Sequence, residues 1–428
     1  MTDTLLDRFL RYVQIDTQSA HGTGSYPSTQ KQWLLLRLLT EELKALGAAD
    51  VTLTDHGYVL ATLPATTTRA DVPTIAFLAH VDTAPDFSGT NVKPIVHENY
   101  QGTRIVLPDD PTQVLDPENP LYADLLTAVG KDVITASGLS LLGADDKAGV
   151  AIIMTLADHL LRHPEIEHGP IRICFTPDEE IGAGVDHLNL DQLGAQVAYT
   201  LDGENPGEIN WETFSAYSAR VTITGVATHP GTARRYGMVN AVHLAGKLLS
   251  QLPREFMAPE STDHRDGFIH PVSISGDATQ TTLRLILREH DDAKLDAIAD
   301  MLRLQCRALN AAYPTARIEV EISESYRNMG NWLKDQMQIV ELALTACRNV
   351  GLEPFTQPVR GGTDGSRLTA MGLPTPNIFV GGHNAHGPLE WVTRQDMEKA
   401  VEVLIELARL WATEGVGFKG GYHVRQTA

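Results

Sequence analysis

The chain has 428 residues, 43% hydrophobic and 21% charged, an ordinary globular composition long enough for two domains. Its 34 basic and 54 acidic residues leave a formal charge of -20, which argues against nucleic acid or an anionic membrane as partner. No apolar run approaches transmembrane length. Three widely spaced cysteines outside any CxxC motif (Cys174, Cys306, Cys347) point to a reducing compartment.

The opening MTDTLLDRFLRYVQ reads as an amphipathic helix and lacks the marks of a signal peptide, so a cytoplasmic location is expected. Helices are expected over residues 5–13 and 30–46 from apolar residues three and four apart. Short strands follow at 51–54 and 58–63, around the turn at His56-Gly57. The run TIAFLA at 74–79 has the continuous apolar character of a central strand. Residues 85–131, rich in Pro, Gly, Asp and Asn, form a long irregular excursion. A helix at 147–161, a strand at 171–175 and a strand at 197–201 complete an alternating pattern. That pattern predicts an α/β domain with a mixed, largely parallel sheet flanked by helices.

From about residue 216 the order becomes β-α-β-β-α-β, the ferredoxin-like signature. Strands are expected at 217–226, 272–275, 282–290 and 316–325, with helices at 237–249 and 292–311. The first pattern then resumes with a helix at 332–350, a strand at 377–380 and a helix at 394–413. The division expected is 1–214 and 327–428 for one domain, with 215–326 inserted as a second. The tail from 417 is expected to be loose.

Ligands gather beyond the C-terminal ends of strands in open α/β sheets. The 74–79 strand ends in His80-Val81-Asp82, where positions i and i+2 share a face. Asp82 is thus placed to orient His80. LLGADDKAG puts Asp145 and Asp146 between a glycine and a helix; a cap explains one aspartate, not two. FTPDEEIGAG ends a strand in two adjacent glutamates. They can share one site only if the backbone turns, and Gly182 and Gly184 are expected to supply the turn. Asp202 ends the next strand, and GGHNAHG carries His386. Two imidazoles and three carboxylates (His80, His386, Asp145, Glu180, Asp202) suit a pair of divalent ions with one bridging carboxylate. A base beside the attacking water is also required, and Glu179 or Glu180 is available.

HVDTAPD, LLGADDKAGVAIIM, FTPDEEIGAG, the Asp202 strand, HPGTA, RGGTDGSRL and GGHNAHGPLE occur in an order that resembles the tripeptide aminopeptidases of the M20 family of dinuclear zinc peptidases. The likeness runs from the first helix to about Gly415. It implies a zinc-peptidase-like α/β domain with an inserted ferredoxin-like α+β lid, and two Zn²⁺ ions per chain or other divalent metals in their place. It implies His80 and Asp202 on one metal, Glu180 and His386 on the other, and Asp145 bridging. Glu179 matches the general base and Asp82 the partner of His80. A cis peptide is implied at Asp145-Asp146. On the lid, His229, Asn240, Arg288 and Arg360 match positions near bound substrate; an arginine would receive the peptide carboxylate through paired donors. The implied substrate is a short peptide cut at its N-terminus. Rival readings are another M20 hydrolase (dipeptidase, carboxypeptidase or amide deacylase) and a catalytically silent metal- or peptide-binding protein. Some relatives dimerise through the lid; no residue here marks a homodimer contact.

Overall fold

The computed structural model describes residues 3–421. They form two compact units. One runs from the start of the described chain to Trp211 and takes in Trp332–Gln357 and the chain from Thr363 onward. The other holds Glu212–Asn331 and Pro358–Gly362.

The first unit is built on the strand Ile75–His80, buried at every position. Ile75, Phe77 and Ala79 face a large core with Phe9, Ile152 and Leu404, while Ala76 and Leu78 face a second core with Leu60, Cys174 and Leu368. A strand covered on both sides must be apolar throughout, hence the unbroken TIAFLA run. This strand is central in a seven-stranded sheet ordered Ala49–Leu53, Val59–Leu63, Ile171–Thr176, Ile75–His80, Val197–Gly203, Asn377–Phe379, Ile209–Asn210. The three middle pairings, 171–176 through 377–379, are parallel; the three flanking ones are antiparallel. His80 lies opposite Thr176, and Phe379 opposite Gly203, so the parallel strands end at one edge of the sheet.

The helix Ala144–Arg162 packs on this sheet and against the helices Leu5–Val13 and Arg394–Thr413. Covered on several sides, it is almost wholly buried and lacks a polar face. Gly149 lets it approach: a Cβ there would meet the Leu201 carbonyl oxygen at 2.5 Å and Asp146 Oδ1 at 2.4 Å.

Three expectations need correction. Residues 85–131 are not wholly irregular. Ile95–His97 pairs with Val133–Thr135, which pairs with Trp391–Thr393 and through it with Gly382–His383, in a four-stranded antiparallel sheet; Ile105–Val106 and Val114–Leu115 form a separate hairpin. These strands are two or three residues long, too short for periodicity to register. The helix expected over 332–350 is two helices, Gly330–Leu333 and Gln338–Asn349. Between them the Gln336 N–H donates to the Leu333 carbonyl at 2.8 Å, a tight three-residue turn. The tail is anchored where it is described: Phe418 meets Trp411 edge-on at 5.4 Å, and Gln336 Oε1 accepts the Gly421 N–H at 2.6 Å. Residues 422–428 lie outside the described residues.

The second unit is a four-stranded antiparallel sheet ordered Phe268–Gly276, Gln280–Glu289, Ser215–Thr224, Arg317–Tyr326. The helices Ala241–Leu249 and Asp292–Ala312 pack on it, giving the ferredoxin-like order. Alternate residues of the strands (Val221, Ile223, Leu283, Leu285, Leu287) meet Leu244, Leu248, Leu295 and Leu302 in its core.

Candidate active site

Four parallel strand ends bring the polar residues of the first unit together. His80 is the last residue of its strand, and its ring is 3% exposed. Its Nδ1 lies 3.1 Å from the Asp82 carbonyl oxygen and 3.4 Å from Asp82 Oδ1. Its Nε2 lies 3.0 Å from Asp145 Oδ1 and 3.9 Å from Asp202 Oδ1. On the other side of Asp145, Oδ2 is 3.3 Å from His386 Nε2. That same nitrogen is 2.9 Å from Glu180 Oε2. One carboxylate thus stands between two imidazoles, with Asp202 near the first and Glu180 beside the second.

Asp145 reaches this place because the chain leaves helical geometry at the helix start. Gly143 has φ +82°, and the 145–146 peptide is cis. Asp146 points inward and is wholly buried. Its Oδ2 accepts the His80 N–H at 3.1 Å and its Oδ1 the Gly149 N–H at 3.2 Å. Geometry alone also groups Asp146 with His80 and Asp202. Both Asp146 oxygens already have donors, whereas both Asp145 oxygens face imidazoles.

The glutamate turn is organised differently from the expectation. Gly182 has φ +71° and does turn the chain, but Gly184 does not adopt positive φ. It is required by packing: a Cβ on Gly184 would meet Asp364 Oδ1 at 2.2 Å. The second left-handed residue is Asp178, φ +57°, a buried aspartate held by the Ser28 N–H at 2.6 Å and Gln32 Nε2 at 2.6 Å. Beyond it, Asp82 Oδ1 accepts the Glu179 N–H at 3.0 Å and Oδ2 the Glu180 N–H at 3.3 Å.

The electrostatics show a cluster rich in negative charge. Burial and the nearby Asp202 push Glu179 well up; burial and Asp145 push Glu180 up to about 7. Asp202 is driven up by burial and by Asp145. Bonds to Asp145 and Glu180 push His386 up to about 11. His80 is also raised: burial opposes its charge, but Asp145 and Asp82 outweigh burial. Asp145 moves the other way, burial being overcome by the two imidazoles. Carboxylates that resist ionising beside imidazoles that hold protons mark a site short of positive charge. Glu180 Oε1 is buried without a hydrogen-bond partner. Two imidazoles, a carboxylate with an oxygen toward each, two flanking carboxylates and an unpartnered buried oxygen fit divalent metal.

Two contributors had little legible sequence signal. Glu390, 1% exposed, accepts the Leu142 and Gly143 N–H groups at 2.8 and 2.7 Å on one oxygen and the Asp145 N–H at 2.9 Å on the other. Its only local sign is an acid immediately before a buried strand, Trp391–Thr393. Asp364, in RGGTDG, accepts the Thr176 hydroxyl at 2.8 Å and is pushed up to about 6 by burial. His383, the other histidine of its loop, stacks on Trp391 at 4.0 Å. A cavity of about 100 Å³ lies beside Asp145 and Asp202, lined also by Glu204, Val380 and Ala385.

The remaining four sequence candidates lie in the second unit. His229 is exposed, with Nδ1 accepting the Gly231 N–H at 3.1 Å. Asn240 caps the helix Ala241–Leu249, its Oδ1 accepting the Val242 N–H at 2.9 Å, so the helix expected from 237 starts four residues later. Arg288 donates from Nη1 to the Leu287 and Tyr217 carbonyls at 3.0 and 3.3 Å and lies 5.5 Å from the Tyr326 ring. Arg360 is engaged on both terminal nitrogens. Nη1 donates to the His264 and Asp266 carbonyls at 3.0 and 2.9 Å, and Nη2 to Thr262 Oγ1 at 3.0 Å, over the Phe214 ring.

An open, mixed sheet whose parallel strand ends set two imidazoles against one shared aspartate, with a glutamate beside them, defines a metal-dependent hydrolase. The chain belongs to the peptidase family M20/M25/M40, whose family model matches residues 142–410. It is 47% identical over 411 residues to a peptidase T of Geobacillus thermodenitrificans, covering 96% of this chain and 99% of the relative. A tripeptidase from Staphylococcus aureus has the same fold, with a TM-score of 0.75 at 23% identity over 95% of this chain and 98% of that one. The aminopeptidase PepT of Bacillus cereus also shares it, with a TM-score of 0.73 at 22% identity over the same shares. The protein is a peptidase.

Proposed function

We propose that this protein removes the N-terminal residue from short peptides, tripeptides foremost, at a site holding two Zn²⁺ ions. The observation that carries the reading is Asp145, with one oxygen 3.0 Å from His80 and the other 3.3 Å from His386. His80 and Asp202 would hold one ion, His386 and Glu180 the other, with Asp145 shared. The likeness to a peptidase T at 47% identity supports the substrate class.

When bound, the ions polarise the scissile carbonyl and acidify the attacking water. Glu179 takes a proton from that water; as oxygen bonds to the carbonyl carbon and the C–N bond breaks, Glu179 returns the proton to the departing amine. A carboxyl pushed up by burial is matched to this double role. Asp82 serves by orientation, touching His80 and the amides of both glutamates. Residues of the second unit are assigned to substrate by the resemblance. The Gly231 N–H on His229 Nδ1 leaves the ring proton on Nε2, a donor for the developing oxyanion. Arg288 spends one terminal nitrogen on carbonyls and Arg360 both, so Arg288 is assigned the peptide carboxylate. Asn240 uses its side-chain oxygen as a cap and keeps its amide nitrogen for substrate. Three free, buried cysteines suit a cytoplasmic setting, and among the described residues no helix is long and apolar enough to cross a membrane.

The test is a panel of di-, tri- and tetrapeptides, each free and N-acetylated, assayed with Zn²⁺ and after chelation. Free tripeptides cleaved fastest, acetylated ones resistant, and activity lost on chelation are the expected results. Cleavage of acetylated peptides would sink the aminopeptidase reading.

A further inference from the structure

We infer that Glu390 is the positioning residue that sets Asp145 and His386 at their working separation, and that metal affinity depends on it. This rests on the metal-centre reading above.

A helix begins with backbone N–H groups that have no partner inside it. At the start of Ala144–Arg162 those groups are met from far along the chain. Glu390 Oε2 takes the Leu142 and Gly143 N–H groups at 2.8 and 2.7 Å, and Oε1 takes the Asp145 N–H at 2.9 Å. The residues bonded are the ones that swing Asp145 out of helical geometry. Gly143, the residue before the helix, has no side chain to cap it, and the helix's own Asp146 reaches only the Gly149 N–H. A carboxylate at this end is also favoured by the helix dipole.

Glu390 is itself held. It directly precedes the Trp391–Thr393 strand, in which Trp391 lies opposite both Thr135 and His383. His383 in turn stacks on Trp391 at 4.0 Å, three residues before His386. His386 sits at φ +64°, a conformation that a non-glycine side chain resists without support. The loop carrying His386 and the loop carrying Asp145 therefore meet at Glu390, whose side chain holds Leu142, Gly143 and Asp145 and whose backbone N–H donates to the Gly387 carbonyl at 3.3 Å. Loss of its hydrogen bonds frees the two loops to drift, so that His386 Nε2 and Asp145 Oδ2 no longer converge.

The experiment is Zn²⁺ uptake by the metal-free full chain, measured by competition with a chromogenic chelator, for wild type, Glu390→Gln and Glu390→Asp, well below each protein's melting temperature. Gln keeps the shape but turns an amide N–H₂ toward backbone N–H groups. Asp keeps the charge but withdraws it by one methylene. Glu390→Gln is expected to weaken uptake ~10–100-fold, the scale of lost outer-shell support, and Glu390→Asp by less. Excess Zn²⁺ should restore part of the lost kcat while KM stays near wild type. A lower melting temperature with wild-type Zn²⁺ affinity would mean a merely structural role and overturns the inference. If Glu390→Gln does not fold, wild-type affinity in Glu390→Asp overturns it. Wild-type protein that takes up no Zn²⁺ overturns the metal-centre reading, and this inference with it.

Discussion

The Asp82 carboxylate receives the Glu179 backbone N–H at 3.0 Å, so the residue beside the His80 ring also fixes the start of the glutamate turn. One side chain couples two strand ends. Asp82→Asn keeps one acceptor but sets an amide N–H₂ against one of the two backbone N–H groups. Metal affinity should fall ~10–100-fold with the fold retained, as for other lost outer-shell partners. Metal titration checks this, and an unchanged affinity would leave Asp82 as packing only.

Glu179 and Glu180 are neighbours with separable effects. Glu179→Gln should lower kcat ~10²–10⁴-fold, the usual weight of a general base, while metal uptake stays near wild type. Glu180→Gln should lose metal first, because its Oε2 stands 2.9 Å from His386 Nε2. Parallel metal analysis and turnover of the two variants decide it; the reverse pattern would exchange the roles.

The two glycines of the turn differ in kind. A Cβ at Gly182 meets nothing within 4 Å and suffers only from φ +71°, so Gly182→Ala should cost ~1 kcal/mol. Gly184→Ala pushes into the buried Asp364 carboxylate and should cost roughly 2–3 kcal/mol. Urea unfolding of the metal-free variants compares them, and equal losses would count against the packing argument.

The two arginines should separate by readout. Arg360 bridges two carbonyls, a hydroxyl and an aromatic face within the second unit, so Arg360→Lys loses the planar fork and should lower thermal stability. Arg288→Ala should raise KM for tripeptides about tenfold or more, as expected for a lost charged contact to a carboxylate, with little change in melting temperature. A KM effect confined to Arg360→Lys would reverse the assignment.

Metal removal should have a signed pH dependence. Glu180 is raised to about 7, so the folded, metal-free state pays increasingly for its ionisation as pH climbs from the ordinary carboxylate range. His386 is raised to about 11, so its stabilising charge is full below the ordinary histidine value and is lost as pH rises toward that figure. In both cases the folded state binds more protons than the unfolded one, and stability falls with rising pH. Melting of the chelated protein should therefore drop between about pH 5.5 and about pH 8.5, and the gain from added Zn²⁺ should widen. A gain that shrinks with pH would contradict this proton balance.

What could be read from the residues follows from how local each signal is. Ile75–His80 announces a central strand because burial on both faces demands an unbroken apolar run, and alternation then pairs His80 with Asp82. The Asp145-Asp146 pair stands out because a helix start needs only one capping acid. The β-α-β-β-α-β order is legible because long amphipathic elements carry their own period. Glu390 has no such mark: the nearest partner of its side chain, Asp145, is 245 residues away. Gly184 and Asp364 are likewise a long-range contact, so the local sequence points to a turn where the fold requires clearance. Arg360 in RGGTDG matches a position near substrate in the resemblance, while its hydrogen bonds to His264, Asp266 and Thr262 are visible only in the fold.

The strand Asn377–Phe379 lies between Val197–Gly203 and Ile209–Asn210, although the whole second unit separates them in the chain. During synthesis the slot between two early strands stays open until most of the protein has left the ribosome. His386 and Glu390 emerge only after that slot is filled. A nascent chain or a C-terminal truncation ending before residue 377 therefore exposes unpaired strand edges beside an incomplete cluster of acids. Peptide hydrolysis would be among the last properties such a chain acquires, and exposed edges prone to mispairing among the first.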